Sequence, residues 1–220
     1  MAKIGVILAG CGVYDGAEVH ESVLTLLYLS QANQEVVAMA PNMEQHHVLN
    51  HGTGEEMTEK RNVLVEATRI ARGPVLDISD ANPADYDAII IPGGFGAAKN
   101  LCTFALEGPE GKVQEDVARF LTGFHKTGKP IGALCIAPAI LALLSSEMEG
   151  KPKITIGTDE ATAAGINSLG CDHQNRSVEE ICIDENLNLV TTPAYMLGQN
   201  IAEVAIGIEK LVSEVIARTR

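Results

Sequence analysis

Tryptophan is absent from this chain of 220 residues, and all aromatic side chains together make up only 4% of it. Binding modes that stack bases or sugar rings on aromatic platforms are therefore not expected. Basic residues are also scarce, 16 Lys and Arg against 29 Asp and Glu, for a formal net charge of −13 at pH 7. Nucleic acid and anionic membrane surfaces both call for a basic face, so neither is expected as a partner. Long apolar runs are missing too. The longest nearly apolar stretch, residues 129–143, is interrupted by Pro130, Gly132 and Pro138, which excludes a spanning helix, and no signal peptide is read at the start. Cys-x-x-Cys pairs are lacking: the five cysteines stand far apart at 11, 102, 135, 171 and 182. That pattern fits free thiols in a reducing cytoplasm and gives no structural zinc site. His46, His47 and His51 lack helical spacing and acidic company, so they are read as loop or dimer-contact residues rather than metal ligands. With no Pro/Gly/Ser-rich linker, residues 1–220 are expected to form one domain.

What is present is an alternation of strands and helices. Residues 3–9 read as a strand, 17–31 as a helix starting near Asp15, and 35–40 as a second strand, a βαβ unit that points to a parallel, doubly wound sheet. Residues 41–58 read as a loop excursion and 59–69 as a weak helix. Residues 75–78 pair at an edge, and 86–91 form a buried strand running into Pro92-Gly93-Gly94-Phe95-Gly96. A helix over 113–126 leads to the strand 131–134. Further on come a strand at 153–156, a short helix at 160–164 and a hairpin, 180–184 with 187–192, turning at Glu185-Asn186. A last helix carries the apolar stripe Ile201, Val204, Ala205, Ile208, Leu211, Val212 and Val215.

Chemistry concentrates at Cys135. The apolar run 131–134 is followed at once by a proline placed for the first turn of a helix, with the small residues Gly132, Ala133, Ala137 and Ala139 allowing close backbone approach. This is the pattern of a nucleophile elbow, which lifts one side chain above the carboxyl end of a sheet beside a helix N-terminus. A thiol there is expected to ionise more readily, the alternative being a buried, inert cysteine. The glycines after strand 86–91 can turn backbone N–H groups toward an anion or form a tight turn only. Neither a phosphate-binding Gly-Lys-Ser/Thr nor a dinucleotide Gly-x-Gly-x-x-Gly follows. In a parallel sheet the turns at Gly10 to Gly12, at Gly93 to Gly96 and at Cys135 share one edge. Glu18 and Glu21, three residues apart at the start of the first helix, then reach the same crevice, where one would be a proton-transfer partner of the thiol and the other a solvated face residue. Cys11 is the rival thiol. A reversible disulfide between it and Cys135 requires Cα atoms within about 7 Å.

Three stretches together resemble a known group: Ile-Pro-Gly-Gly-Phe-Gly-Ala-Ala-Lys-Asn-Leu at 91–101, Ala-Leu-Cys-Ile-Ala-Pro at 133–138, and the early helix glutamate. They are similar to the PfpI-like branch of the class I glutamine-amidotransferase-like superfamily, which includes glyoxalases, deglycase-like stress proteins and a protease. Gly-Cys-Gly-Val-Tyr-Asp-Gly at 10–16, Asn-His-x-Thr-Gly-Glu at 50–55 and Thr-Thr-Pro-Ala-Tyr-Met at 191–196 narrow the likeness to the ElbB-type isoprenoid-biosynthesis proteins.

The resemblance implies a flavodoxin-like three-layer α/β sandwich and a homodimer. It makes Cys135 the nucleophile, Glu21 its acid partner, and Gly93, Gly94 and Ile136 the oxyanion or substrate-binding positions. Gly157 stands near the place where many relatives carry a histidine, so a Cys-His-acid hydrolytic triad is not expected; His20 and His173 are the candidate substitutes. The activity implied is that of a cofactor-free, metal-free glyoxalase acting on glyoxal or methylglyoxal, with a link to isoprenoid biosynthesis. The competing reading is a redox-sensing or chaperone protein using the same cysteine, and an amidotransferase-like hydrolase is third.

Overall fold

The computed structural model describes residues 1–219. In chain order the elements are β1 (Lys3–Ile7), α1 (Val19–Gln31), β2 (Glu35–Ala40), β3 (Val48–Leu49), β4 (Glu56–Met57), α2 (Val63–Ala71), β5 (Leu76–Asp77), β6 (Ala88–Ile91), α3 (Phe95–Lys99), α4 (Phe104–Glu107), α5 (Glu115–His125), β7 (Ile131–Leu134), α6 (Pro138–Leu143), β8 (Lys153–Ile154), α7 (Glu160–Ser168), β9 (Asp172–His173), β10 (Cys182–Asp184), β11 (Leu189–Thr192) and α8 (Ile201–Ala217). Seven strands form one sheet in the order β10-β11-β7-β6-β1-β2-β5. All neighbours are parallel except the hairpin β10 and β11. This is the three-layer α/β architecture expected. Strands β1, β6 and β7 are apolar on both faces because helices cover both, and Ile4, Val6, Ile89, Ile90, Ile91, Ile131 and Leu134 are wholly buried.

The chain order reverses at β1, since β2 lies on one side of it and β6 on the other. Such a switch point opens a crevice beyond the carboxyl ends of the strands. Here the segments after β1 and β6 close on each other. The N–H groups of Phe95 and Gly96 donate to the carbonyls of Val13 and Gly16 at 2.8 and 2.9 Å. Buried Asn100 donates to the carbonyls of Ala9 and Asp15 and accepts from the His46 amide. The polar excursion 41–58, with its small ribbon β3–β4, is thereby tied to the same edge.

Several boundaries differ from expectation for local reasons. Helix α1 starts at Val19, not near Asp15, because the Glu18 carboxylate caps it by accepting the Glu21 amide. The Asp15 carboxylate instead accepts the Leu49 amide at 2.8 Å. Helix α2 begins four residues late because Asn62 caps it and Val63, Glu66, Ala67 and Ile70 supply its buried face. Phe95–Lys99 is helical rather than turn, and strand 153–156 is only two residues long, pairing with β9 outside the main sheet. Ile201, assigned to the buried stripe of the last helix, is exposed at the first residue of α8.

Candidate active site

Strand β7 ends at Leu134, and Cys135 takes φ +60°, a left-handed conformation that a side-chain-bearing residue adopts only when its surroundings impose it. The Cys135 N–H donates to the Thr192 carbonyl at 3.0 Å, and the Ala137 N–H donates back to Leu134 at 3.0 Å. Neighbouring β11 thus fixes the elbow, and α6 leaves immediately behind it with Pro138 in its first turn.

Glu21, in the first turn of α1, is completely buried against this elbow. Its Oε2 accepts the Gly93 N–H at 2.9 Å, its Oε1 accepts the Tyr195 N–H at 3.1 Å, and its carboxyl lies close enough to the Cys135 thiol for each to shift the other's proton affinity. One carboxyl therefore joins the turn after β6, the turn after β11 and the elbow. Glu18 is also buried, at 8% exposure, so neither acid is a solvated face residue. Its N–H donates to the Gly93 carbonyl at 2.9 Å.

The oxyanion expectation divides. The Gly94 and Ile136 N–H groups lie near enough to the Cys135 sulfur to favour its thiolate, whereas the Gly93 N–H is committed to Glu21. Gly94 sits at φ +94°, which only glycine adopts without strain. A Cβ on Gly93 would lie 2.4 Å from the Cys135 Cβ and 2.7 Å from Glu21 Oε2.

Burial, and then the charge of Glu18, push the Glu21 carboxyl up to about 8, against the pull of the Tyr195, Cys135 and Gly93 hydrogen bonds. The Cys135 thiol is also pushed up, first by burial and then by the Glu21 carboxylate, over the opposing pull of the Gly94 N–H. The expectation of a thiol acidified by the helix start is thus reversed in the resting pair. Once protonated, Glu21 no longer repels a thiolate and donates to it instead, so the two groups behave as one proton-sharing unit.

Cys135 is 7% exposed and lines a cleft of about 550 Å³ whose walls include Val13, Phe95, Phe104, Ile136, Tyr195 and Met196. His20 does not line this cleft, but its Nδ1 lies 2.8 Å from the Tyr195 hydroxyl. His173 is elsewhere, on β9, its Nε2 accepting the Ile156 N–H at 3.2 Å. Cys11 is not among the lining residues either; its charged neighbours are Glu66, Arg69, Asp15 and Arg61. Among the described residues, no group of three or more His, Cys, Asp or Glu side chains is placed to hold a metal. Of the excursion histidines, His47 approaches Lys99 Nζ at 3.2 Å and His51 lies 3.7 Å from Asp15. Tyr195 and Thr192 were not singled out by sequence reasoning. Their signal was the Thr-Thr-Pro-Ala-Tyr-Met run at the end of a strand, which acquires meaning only once β11 is seen beside β7.

Residues 11–192 match the DJ-1/PfpI family. The chain belongs to that family. Family members include glyoxalases, chaperones and redox-sensing proteins. The chain is 41% identical over 228 residues to the human protein "Glutamine amidotransferase-like class 1 domain-containing protein 3, mitochondrial", covering 99% of this chain and 84% of that one. It is 40% identical, with the same coverage, to "ES1 protein homolog, mitochondrial" of Rattus norvegicus. Among solved structures, an isoprenoid biosynthesis protein with an amidotransferase-like domain from Ehrlichia chaffeensis superposes with a TM-score of 0.92 at 34% identity, over 100% of both chains. Among the described residues, no helix of this DJ-1/PfpI member is long and apolar enough to cross a membrane.

Proposed function

We propose that this protein is a cofactor-independent glyoxalase that converts a 2-oxoaldehyde such as glyoxal or methylglyoxal into the 2-hydroxy acid. The observation that carries this reading is the Glu21 carboxyl, buried beside Cys135, held by two amides and pushed up to about 8. A group with that proton affinity can give and take a proton near neutral pH.

In the one-proton form of the pair, the Cys135 thiolate adds to the aldehyde carbon C1, and the Glu21 proton passes to the new alkoxide, giving a hemithioacetal and a Glu21 carboxylate. That carboxylate removes the C1 proton; the electron pair moves toward C2 through an enediol, the C1 hydroxyl proton passes to the C2 oxygen, and the abstracted proton is delivered to C2. C1 is thereby oxidised to a thioester and C2 reduced to an alcohol, with no external oxidant. Water adds to C1, the C1–S bond breaks, and a proton returns to the pair. The Gly94 and Ile136 N–H groups are the donors for negative charge developing beside the sulfur.

The test is formation of glycolate or lactate by the wild type and its loss in Cys135→Ser. A Cys135→Ser variant as active as the wild type would overturn the reading. The redox-sensing reading is less favoured, because among the described residues no second cysteine lines the cleft to trap an oxidised Cys135 as a disulfide. Peroxide-dependent partner binding without any turnover would reverse that preference. The hydrolase reading lacks a histidine among the residues lining the cleft.

A homodimer is part of the proposal. Val19, Val23 and Leu27 lie four residues apart along the exposed side of α1, a row suited to a second copy, and Val23→Glu should sediment as monomer. A cytoplasmic site of action is supported by the five free cysteines; the human and rat relatives are mitochondrial by name. A link to isoprenoid biosynthesis is supported by the likeness to the Ehrlichia chaffeensis protein.

A further inference from the structure

We propose that the Cys135 cleft takes an uncharged carbonyl compound with an apolar body larger than methyl and turns anionic ones away, and that Asp159 at the cleft wall is a determinant of that charge selection. The size argument comes first. A volume of about 550 Å³ lies in the range that holds drug-sized ligands, roughly 300–1,000 Å³. A three-carbon 2-oxoaldehyde fills little of it. The space beyond the sulfur is bounded by Val13, Phe95, Phe104 and Met196, which gain from covering an apolar substituent and offer nothing to a small hydrated dialdehyde.

Charge supplies the second argument. Among the described residues, two carboxylates, Glu18 and Asp159, line the cleft and no lysine or arginine does. Asp159 caps α7, its Oδ2 accepting the Thr162 amide at 2.8 Å. The Thr162 hydrogen bonds hold its carboxyl below the usual range, so it is ionised at neutral pH. The cation described beside this wall is Lys99, whose ammonium lies 5.0 Å over the Phe95 ring. It is not a lining residue, and it donates to the Tyr14 carbonyl at 3.4 Å. A ligand carboxylate or phosphate approaching the sulfur therefore meets one sign of charge, from Asp159 exposed to solvent at the rim and from buried Glu18, which lowers its local concentration there.

The turnover half of this proposal rests on the 2-oxoaldehyde reading; the charge half rests on the cleft alone, and two measurements separate them. In the first, kcat/KM is compared for methylglyoxal, phenylglyoxal and 4-carboxyphenylglyoxal. Phenylglyoxal is expected to exceed methylglyoxal by about tenfold or more, as burial of several apolar carbons allows, and the carboxylated compound to fall well below phenylglyoxal. Equal rates for the two aryl compounds, or a preference for methylglyoxal, would overturn the proposal.

The second measurement needs no turnover. The rate ratio of iodoacetamide to iodoacetate alkylation at Cys135 is read by peptide mapping and divided by the same ratio for 2-mercaptoethanol. A normalised ratio of about ten is expected, falling two- to threefold in Asp159→Asn and at high salt, the scale of a single screened charge nearby. Asparagine keeps the helix cap, so the variant should fold with an unchanged melting temperature. A ratio near one, or one insensitive to Asp159→Asn, would overturn the charge selection. If no 2-oxoaldehyde is consumed while the ratio holds, the glyoxalase reading fails and the cleft's preference for uncharged ligands stands.

Discussion

Gly93 donates its amide to the Glu21 carboxyl at 2.9 Å, and its α-carbon faces Cys135 so closely that a methyl group there would sit 2.9 Å from the sulfur. Glycine at this position is thus both a hydrogen-bond partner and the gap through which acid and thiol meet. Gly93→Ala should separate the pair, lowering turnover on the order of 10²-fold through misplacement of reacting groups, with a stability loss of about 1–3 kcal/mol from overpacking. Rates and urea midpoints measured on the same preparation check both numbers.

Replacement of Glu21 by Gln has a cost visible only in three dimensions. Both oxygens of Glu21 accept backbone N–H groups, and an amide has one oxygen, so one buried N–H loses its acceptor, destabilising the fold by about 1–3 kcal/mol at pH 6. The pH dependence should differ too. Glu21 is raised in the folded protein from the ordinary 4.5 to about 8, so between those values the native state holds a proton that the unfolded state has released. Its contribution is full below about 4.5 and is lost as pH rises through about 8. The stability difference between wild type and Glu21→Gln should therefore shrink from pH 5 to pH 9. A constant difference would mean that Glu21 is not raised.

The same proton governs rate. The productive form of the pair has lost one proton, so kcat/KM is expected to climb with pH and level off above about 8. In Glu21→Gln the rate should be lower on the order of 10²-fold, as removal of a general base commonly requires, and this limb should vanish. Glu18→Gln is a milder change: without its charge the Glu21 carboxyl should fall, moving the limb to lower pH.

Among the five thiols, stoichiometric alkylation at pH 8 followed by peptide mapping should label Cys135 first. Cys135 is itself nearly fully buried and pushed up, but it lines the cleft, whereas Cys102, Cys171 and Cys182 are buried away from it. Only Cys11 is better exposed, and it has neither an elbow nor N–H donors aimed at its sulfur. Dominant labelling of Cys11 would count against the assignment of Cys135 as the reactive group.

Tyr195 separates backbone from side chain. Its N–H holds Glu21, while its hydroxyl meets His20. Tyr195→Phe should leave the Glu21-dependent pH limb in place while lowering turnover less than Glu21→Gln does. A loss equal to that of Glu21→Gln would give the hydroxyl and His20 a direct part in proton transfer.

The sequence alone determined the parallel sheet, because the apolar runs at 86–91 and 131–134 are too short for helices and the stripe at 201–215 suits one. It also determined the elbow, because a strand followed directly by Cys135 and a first-turn proline leaves the backbone little else to do. Which amides face the sulfur, and which face Glu21, was decided by tertiary structure: the strand order lays β11 beside β7, bringing the Tyr195 amide to an acid 174 positions earlier in the chain. Proton affinities belong to that same level. Helix position favoured an acidic thiol, but complete burial of Glu21 and near-complete burial of Cys135 reversed it, since desolvation depends on everything packed around a group and no local pattern encodes it.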